Sequence, residues 1–342
     1  EEMLEIWEEL SLGYTESRGH PKLIQEISGL YPGIPSSGPE SPIVLAPQEG
    51  VFLAMQSLLQ PGDRVVAMWP GYQSLYEVAR SMGCKVDFWK PRLDEAGVPA
   101  HFDVKDLGEL LLSGPAAKLV VVNFPHNPTG FLPSAAEFHE VVELCRSQGA
   151  YLFSDEMYRG LELSPNDRLP TAVEMYDRAV SLGGVSKGLS LPGLRIGWLA
   201  SASRPFLDRV AELKDYTTIC SAAPSEILAI IALRGRDAIF DMNRQIILGN
   251  LNALHSFFDD YPDRFAWQPP RAGTVCFPRL LGPAAEAGAA EYCERLREKH
   301  GILLLPSGTY EYDEPCFRLG YGRRNLKENL SLWRTALDAG SS

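Results

Sequence analysis

Lys187 sits in the stretch GGVSKGLSLPGLRIGW, residues 183–198, with serine, glycines and leucine as neighbours and Arg195 further along the same stretch. A lysine ammonium is strongly hydrated and ordinarily goes to a wet surface. An amine set among small and apolar residues is therefore a candidate for chemistry rather than solvation. Three other stretches carry groups of the kind that move protons or hold anions. They are HNPTG with Asn127, Pro128 and Gly130, SDEMYRG with Asp155 and Tyr158, and CFRLGYG with Arg318. Taken singly, each has an ordinary structural reading. Lys187 reads as a loop lysine, HNPTG as a turn, and Asp155 as a strand-end residue capping the next segment. Their placement relative to the surrounding elements separates the two kinds of reading.

From about residue 42 to 200, β-rich runs alternate with helical stretches. SPIVLA is followed by the helix-like EGVFLAMQSLL, RVVAM by YQSLYEVARSM, and KVDFW by FDVKDLGELLL. KLVVVNF is apolar throughout rather than alternating, as expected of a strand buried on both faces. AAEFHEVVELCRSQ reads as helix, and AYLFSDE and AVSLGG as strands. This alternation predicts a mostly parallel sheet covered by helices on both faces. In such sheets the loops leaving the C-terminal strand ends carry the chemistry. HNPTG, DEMYRG and the Lys187 turn each follow one of these strands. Beyond about residue 203 the pattern changes to longer helices through SEILAIIALRGRDAIF. It then mixes strand-like TVCFPRL, GILLLP and CFRLGY with helices near 286–299 and 326–339, which reads as an α+β lobe.

The bulk properties narrow the partners. A formal net charge of −12 argues against nucleic acid, whose binding rests on clustered Lys and Arg, and against an anionic membrane surface. The six cysteines are scattered, with neither a C-x-x-C pair nor framework spacing, so they read as buried or idle thiols and no metal site is expected. No apolar run approaches the roughly 20 residues of a membrane span. The acidic start EEMLEIWEELSLGY lacks a signal-peptide pattern, and a cytoplasmic location is expected.

With this order and these residue types, the chain resembles the fold-type I pyridoxal-phosphate enzymes, the aspartate-aminotransferase superfamily, from Tyr14 to Arg318. NPTG, SDExY and SKxxxLPGLRxGW carry the resemblance. It implies an α/β, aspartate-aminotransferase-like fold, with a mostly parallel sheet in a large cofactor-binding domain at 36–245. A smaller α+β domain would comprise 246–342 with 1–35 as an N-terminal arm. The cofactor implied is pyridoxal 5'-phosphate, and the implied substrate is a small-molecule amino acid.

By the same resemblance, Lys187 would hold the cofactor as a Schiff base and carry protons during turnover. That bond forms through the neutral amine, which desolvation and nearby cations favour. Asp155 would face the pyridine nitrogen and keep it protonated. Tyr158 and Asn127 would hydrogen-bond the ring's 3-oxygen. Tyr72, in WPGYQSLY, matches the aromatic that stacks on the ring, and Arg195 with Ser186 would hold the phosphate. Arg318 would clamp the substrate carboxylate, a task suited to a planar guanidinium. Tyr14, in GYTESRG, matches a tyrosine that reaches the phosphate of a neighbouring subunit, so the resemblance implies a homodimer with shared sites. Two departures stand out. Gly184 occupies a position where the family often has Ser or Thr. The phosphate loop reads APQEG, where Pro47 has no N–H to donate, leaving Gln48 as the expected contact there.

The expected activity is that of an aminotransferase acting on an L-amino acid through a Cα carbanion. Local resemblance also extends to capreomycidine-synthase-like enzymes, through VVVNFPHNPTG, DYTT and PPRAGTVCFPRL, followed by CERLREKHGILLLPSG. Those enzymes eliminate a hydroxyl from a hydroxylated arginine and close the guanidine onto the side chain. Glu16 and Asp215 are the candidates for meeting such a cationic group, and both also read as surface carboxylates. A third reading, a cofactor-binding regulatory module without catalysis, has no attached DNA-binding segment to support it.

Overall fold

The computed structural model describes residues 2–338, so residues 1 and 339–342 of the expected smaller domain lie outside the described residues. Helices α1 (Glu2–Glu8) and α2 (Pro21–Ser28) precede β1 (Ile43–Leu45). Next come α3 (Pro47–Leu58), β2 (Arg64–Met68), α4 (Ser74–Ser81) and β3 (Lys85–Trp89). A short hairpin of β4 (Arg92–Leu93) and β5 (Pro99–His101) leads to α5 (Val104–Leu112) and β6 (Leu119–Asn123). The alternation closes with α6 (Ala135–Gln148), β7 (Tyr151–Asp155), α7 (Ala172–Met175), β8 (Ala179–Gly184) and β9 (Gly197–Ser201).

These strands form one seven-stranded sheet in the order β1-β9-β8-β7-β6-β2-β3. Pairings from β8 through β3 are parallel, and β9 alone runs against its neighbours. Side chains alternate between the faces, as strand geometry requires. Val66, Val120 and Val122 enter one core, with Leu107, Phe138 and Ile230 of the covering helices. Val65, Leu119 and Val121 enter the other, with Met55, Tyr76 and Leu207. Both faces are therefore dry, which explains why the central strands read as unbroken apolar runs.

The second half begins with α8 (Arg204–Lys214), α9 (Ala223–Arg234) and α10 (Arg236–Asp259). Gly235 ends α9 and starts α10, so the long helical reading divides there. The remaining elements are β10 (Phe265–Ala266), β11 (Val275–Cys276), β12 (Arg279–Leu280), α11 (Gly282–Ala287), α12 (Ala289–His300), β13 (Leu305–Pro306), β14 (Phe317–Gly320) and α13 (Leu326–Asp338). A third core joins α10, α12, α13 and β14 through Leu254, Phe257, Tyr292, Phe317 and Trp333. TVCFPRL splits into β11 and β12 because each pairs with a different partner, β14 and β10 respectively. Only the end of GILLLP pairs, as β13 against β14.

One expectation needs correction. Helix α2 of the expected N-terminal arm packs on the large sheet rather than in the core of the C-terminal lobe. Leu23, Ile24, Ile27 and Tyr31 lie in the core on one face of the large sheet, with Ile227 and Ile230 of α9. The apolar stripe of α2 at helical spacing must cover a dry surface, and the sheet face offers one.

Candidate active site

Parallel register brings the C-terminal ends of three strands level. Asn123 of β6 stands opposite Asp155 of β7, and Asp155 opposite Leu182 of β8. A cavity of about 290 Å³ opens at this edge, lined by Asn123, Asp155 and Leu182. The loop joining β8 to β9 adds Ser186, Lys187, Pro192 and Arg195, and the strand-end loops of β6 and β7 add Asn127, Met157 and Tyr158. The first turns of α3 contribute Pro47, Gln48 and Val51, while Tyr72 and Arg318 complete the wall.

Asp155 is buried, and one carboxylate oxygen, Oδ1, accepts the Met157 N–H at 3.0 Å. Burial pushes its carboxyl up to about 7; the Met157 N–H opposes the shift, the Glu156 carboxylate adds to it and Lys187 opposes it. Lys187 is shifted down from the ordinary lysine value, first by desolvation and then by the Arg318 guanidinium; Asp155 works the other way and Arg195 adds to the lowering. The site thus lowers the pKa of an amine and raises that of an acid in one cavity, the direction of tuning that acid–base chemistry uses. Tyr158 is buried and its phenol is pushed up to about 12, mainly by desolvation.

Arg318 donates from Nη1 to Asn127 Oδ1 at 3.1 Å, and its guanidinium carbon lies 5.9 Å from the centre of the Tyr310 ring. Asn127 is held in turn by its own N–H, which donates to Asn123 Oδ1 at 2.8 Å. Asn123 Nδ2 donates to the Asp155 carbonyl at 3.0 Å. Asn123, not singled out in the sequence, therefore ties the two strand ends together. Its one sequence signal is a polar residue closing the apolar run LVVVN.

At the other end, Tyr72 donates to Gln48 Oε1 at 2.9 Å, and Gln48 Nε2 donates to Ser74 Oγ at 2.5 Å. Pro47 is the first residue of α3, where a missing N–H removes no helical bond. The departure at this proline therefore leaves the next N–H groups of the helix start in place. The Ser186 hydroxyl is buried with no hydrogen-bond partner although the residue lines the cavity. An orphaned donor beside an arginine and a helix N-terminus suits a phosphate group. The departure at Gly184 also has a local reason. A side chain there would come within 3.0 Å of Met157 Cε and 3.1 Å of Ile196 O, so Met157 takes up that space.

Tyr14 and Glu16 do not join this cavity. Tyr14 is 91% exposed and lies with Leu12 beside Ser221 and Pro224. Glu16 is also exposed, and its charge acts on His20 and on the buried Glu226. Asp215 accepts a hydrogen bond from Ser17 at 3.1 Å, away from the Lys187 cavity.

A lysine with a lowered pKa beside a buried acid at the ends of parallel strands, with an unpartnered serine hydroxyl, an arginine and a helix start in the same cavity, defines a pyridoxal-phosphate-dependent enzyme of the aspartate-aminotransferase fold. A PLP-dependent aminotransferase from Streptococcus suis superimposes with a TM-score of 0.88 at 28% identity, covering 99% of this chain and 87% of that one. The PLP-dependent cyclase OrfR gives 0.87 at 25%, covering 99% and 90%. The chain belongs to the class I and II aminotransferase family, whose model it matches over residues 9–330. Among its relatives, capreomycidine synthase from Streptomyces vinaceus is 29% identical over 285 residues, 83% of this chain and 70% of that protein. An aspartate aminotransferase from Geobacillus stearothermophilus is 26% identical over 306 residues, 87% and 76%.

Proposed function

We propose that the protein transfers the amino group of an L-amino acid, with Lys187 as the residue that binds the cofactor and moves the α-proton. The observation that carries this reading is the shared cavity of Lys187, Asp155 and Arg318. The cofactor supplies an electron sink for the negative charge left at the substrate's Cα. Asp155 would hold the proton and positive charge at the cofactor's ring nitrogen, and Tyr158 with Asn127 would bond its ring oxygen. Tyr72 would cover a ring face. Arg195, Ser186 and the start of α3 with Gln48 would bind the phosphate. Arg318, steadied by Asn127, would grip the substrate carboxylate and present the α-hydrogen toward Lys187. With its pKa lowered, Lys187 takes that proton as a base and can return it elsewhere.

The cations lining the cavity are Lys187, Arg195 and Arg318. Once Arg195 serves the phosphate and Arg318 the α-carboxylate, no further arginine among the described residues of this chain lines the cavity, so a dicarboxylate substrate would need one from the partner subunit. The exposed arm with Leu12 and Tyr14 supports a homodimer in which Tyr14 reaches the partner's phosphate site.

Similarity to capreomycidine synthase and OrfR supports a second reading, elimination and ring closure on a hydroxylated arginine. In a dimer the exposed Glu16, close in sequence to Tyr14, would then meet the guanidine. Offering the purified enzyme amino acids that include arginine and hydroxyarginines, with products weighed, separates the two. A 2-oxo acid formed with a change in cofactor absorbance supports amino transfer. A product lighter by one water, formed without an amino acceptor, supports cyclisation instead.

A further inference from the structure

The DYTT motif lies outside the cavity, yet it is bonded to the first turn of α3, which lines the cavity, and to the N-terminal arm. Lys214, the last residue of α8, is fully buried. Its ammonium donates to Thr218 Oγ1 at 3.1 Å and to the Ile219 carbonyl at 3.0 Å. Ile219 has φ of 64°, a left-handed conformation that a β-branched residue rarely adopts unless its surroundings hold it there. The Thr217 and Thr218 hydroxyls both donate to Glu49 Oε1, at 2.5 and 2.8 Å. The other carboxylate oxygen of Glu49 accepts the Ala46 N–H at 3.3 Å.

Helix α3 starts poorly on its own. Its cap is Ala46, which has no side-chain oxygen, and its first residue is Pro47. Glu49 satisfies only the Ala46 N–H, and it places a carboxylate at the helix end that the proposed function assigns to a phosphate. Two like charges there repel. Lys214 offsets one of them, since its ammonium interacts electrostatically with Glu49 and touches the same Thr218 hydroxyl. Glu226, Asp215 and Cys220 also face the ammonium. The loop further binds the arm. Thr15 Oγ1 donates to the Ser221 carbonyl, and Ser17 Oγ to Asp215 Oδ1, each at 3.1 Å.

We propose that Thr217 and Thr218, anchored by Lys214, are positioning residues for the phosphate end of the site: they hold the Glu49 carboxylate in place beside the ammonium that offsets its charge, so that the first turn of α3 can accept an anion. This rests on the reading that α3 receives the cofactor phosphate. The test compares dissociation constants of cofactor-free enzyme for pyridoxal phosphate and for pyridoxal, which lacks the phosphate, by absorbance titration. In the isosteric pair Thr217→Val with Thr218→Val, affinity for pyridoxal phosphate should fall about tenfold, equivalent to about 1.4 kcal/mol, while affinity for pyridoxal stays unchanged. Thr217→Ser with Thr218→Ser, which keeps both hydroxyls, should restore the wild-type value. Equal weakening of both ligands, or no weakening of either, overturns the positioning role. Wild-type enzyme that binds pyridoxal as tightly as pyridoxal phosphate overturns instead the phosphate assignment on which it rests.

Discussion

Asp155→Asn tests the electrostatics of the site without needing a substrate. In the cofactor-free protein, burial moves this carboxyl from its ordinary 3.8 up to about 7. Between those values the folded chain keeps a proton that the unfolded chain has released. Each pH unit there costs the folded state about 1.4 kcal/mol. Stability contributed by this group is therefore greatest at low pH, falls as pH rises, and levels off above about 7. From about pH 5 to about pH 7 the loss amounts to about 2 kcal/mol. Asparagine carries no such proton. Urea unfolding of the two cofactor-free proteins across this range should show the variant gaining about 2 kcal/mol on the wild type toward neutral pH. Glu226 is also raised by burial, but both proteins contain it and the comparison cancels it, whereas the Glu156 carboxylate contributes to the Asp155 shift and is part of the difference measured. With pyridoxal phosphate bound, a cationic ring nitrogen would favour the carboxylate, and the difference should shrink. Parallel stability curves for the two cofactor-free proteins would refute the reasoning.

Lys187→Ala should lower turnover by at least about 10²–10⁴-fold, the usual worth of a positioned acid–base group, while equilibrium dialysis still shows cofactor binding through the phosphate and ring contacts. Arg318→Lys should raise KM for the amino acid about tenfold or more, from about 1.4 kcal/mol of lost two-point recognition; an unchanged KM would remove Arg318 from carboxylate binding. Glu16→Gln should raise KM for a basic amino acid about tenfold if the partner's Glu16 meets a guanidine, and steady-state kinetics with arginine derivatives checks this. Sedimentation of the active enzyme should give a dimer, and full activity in a strict monomer would contradict a shared site.

Much of the fold and site was legible because the relevant signals are local. LVVVN and its neighbours are apolar throughout because both faces of the sheet are covered, and turn residues punctuate them. Asp155 ends a strand and Asn127 and Lys187 each follow one, so parallel register brings them to one edge. Their residue types then state the chemistry: an amine, an acid and an amide around one cavity. What depends on contacts between distant segments was not legible. The reversed direction of β9 follows from pairing on both its edges. Helix α2 joins the large sheet because that is where its apolar stripe finds a dry surface. Met157 fills the space above Gly184, Asn123 links two strand ends, and the Lys214 ammonium reaches Glu49 through the Thr218 hydroxyl. For Glu16 the sequence shows charge but not position: in the folded chain it is exposed, outside the Lys187 cavity. Only the folded chain decides position, since burial and hydrogen bonding are set by residues far apart along the sequence.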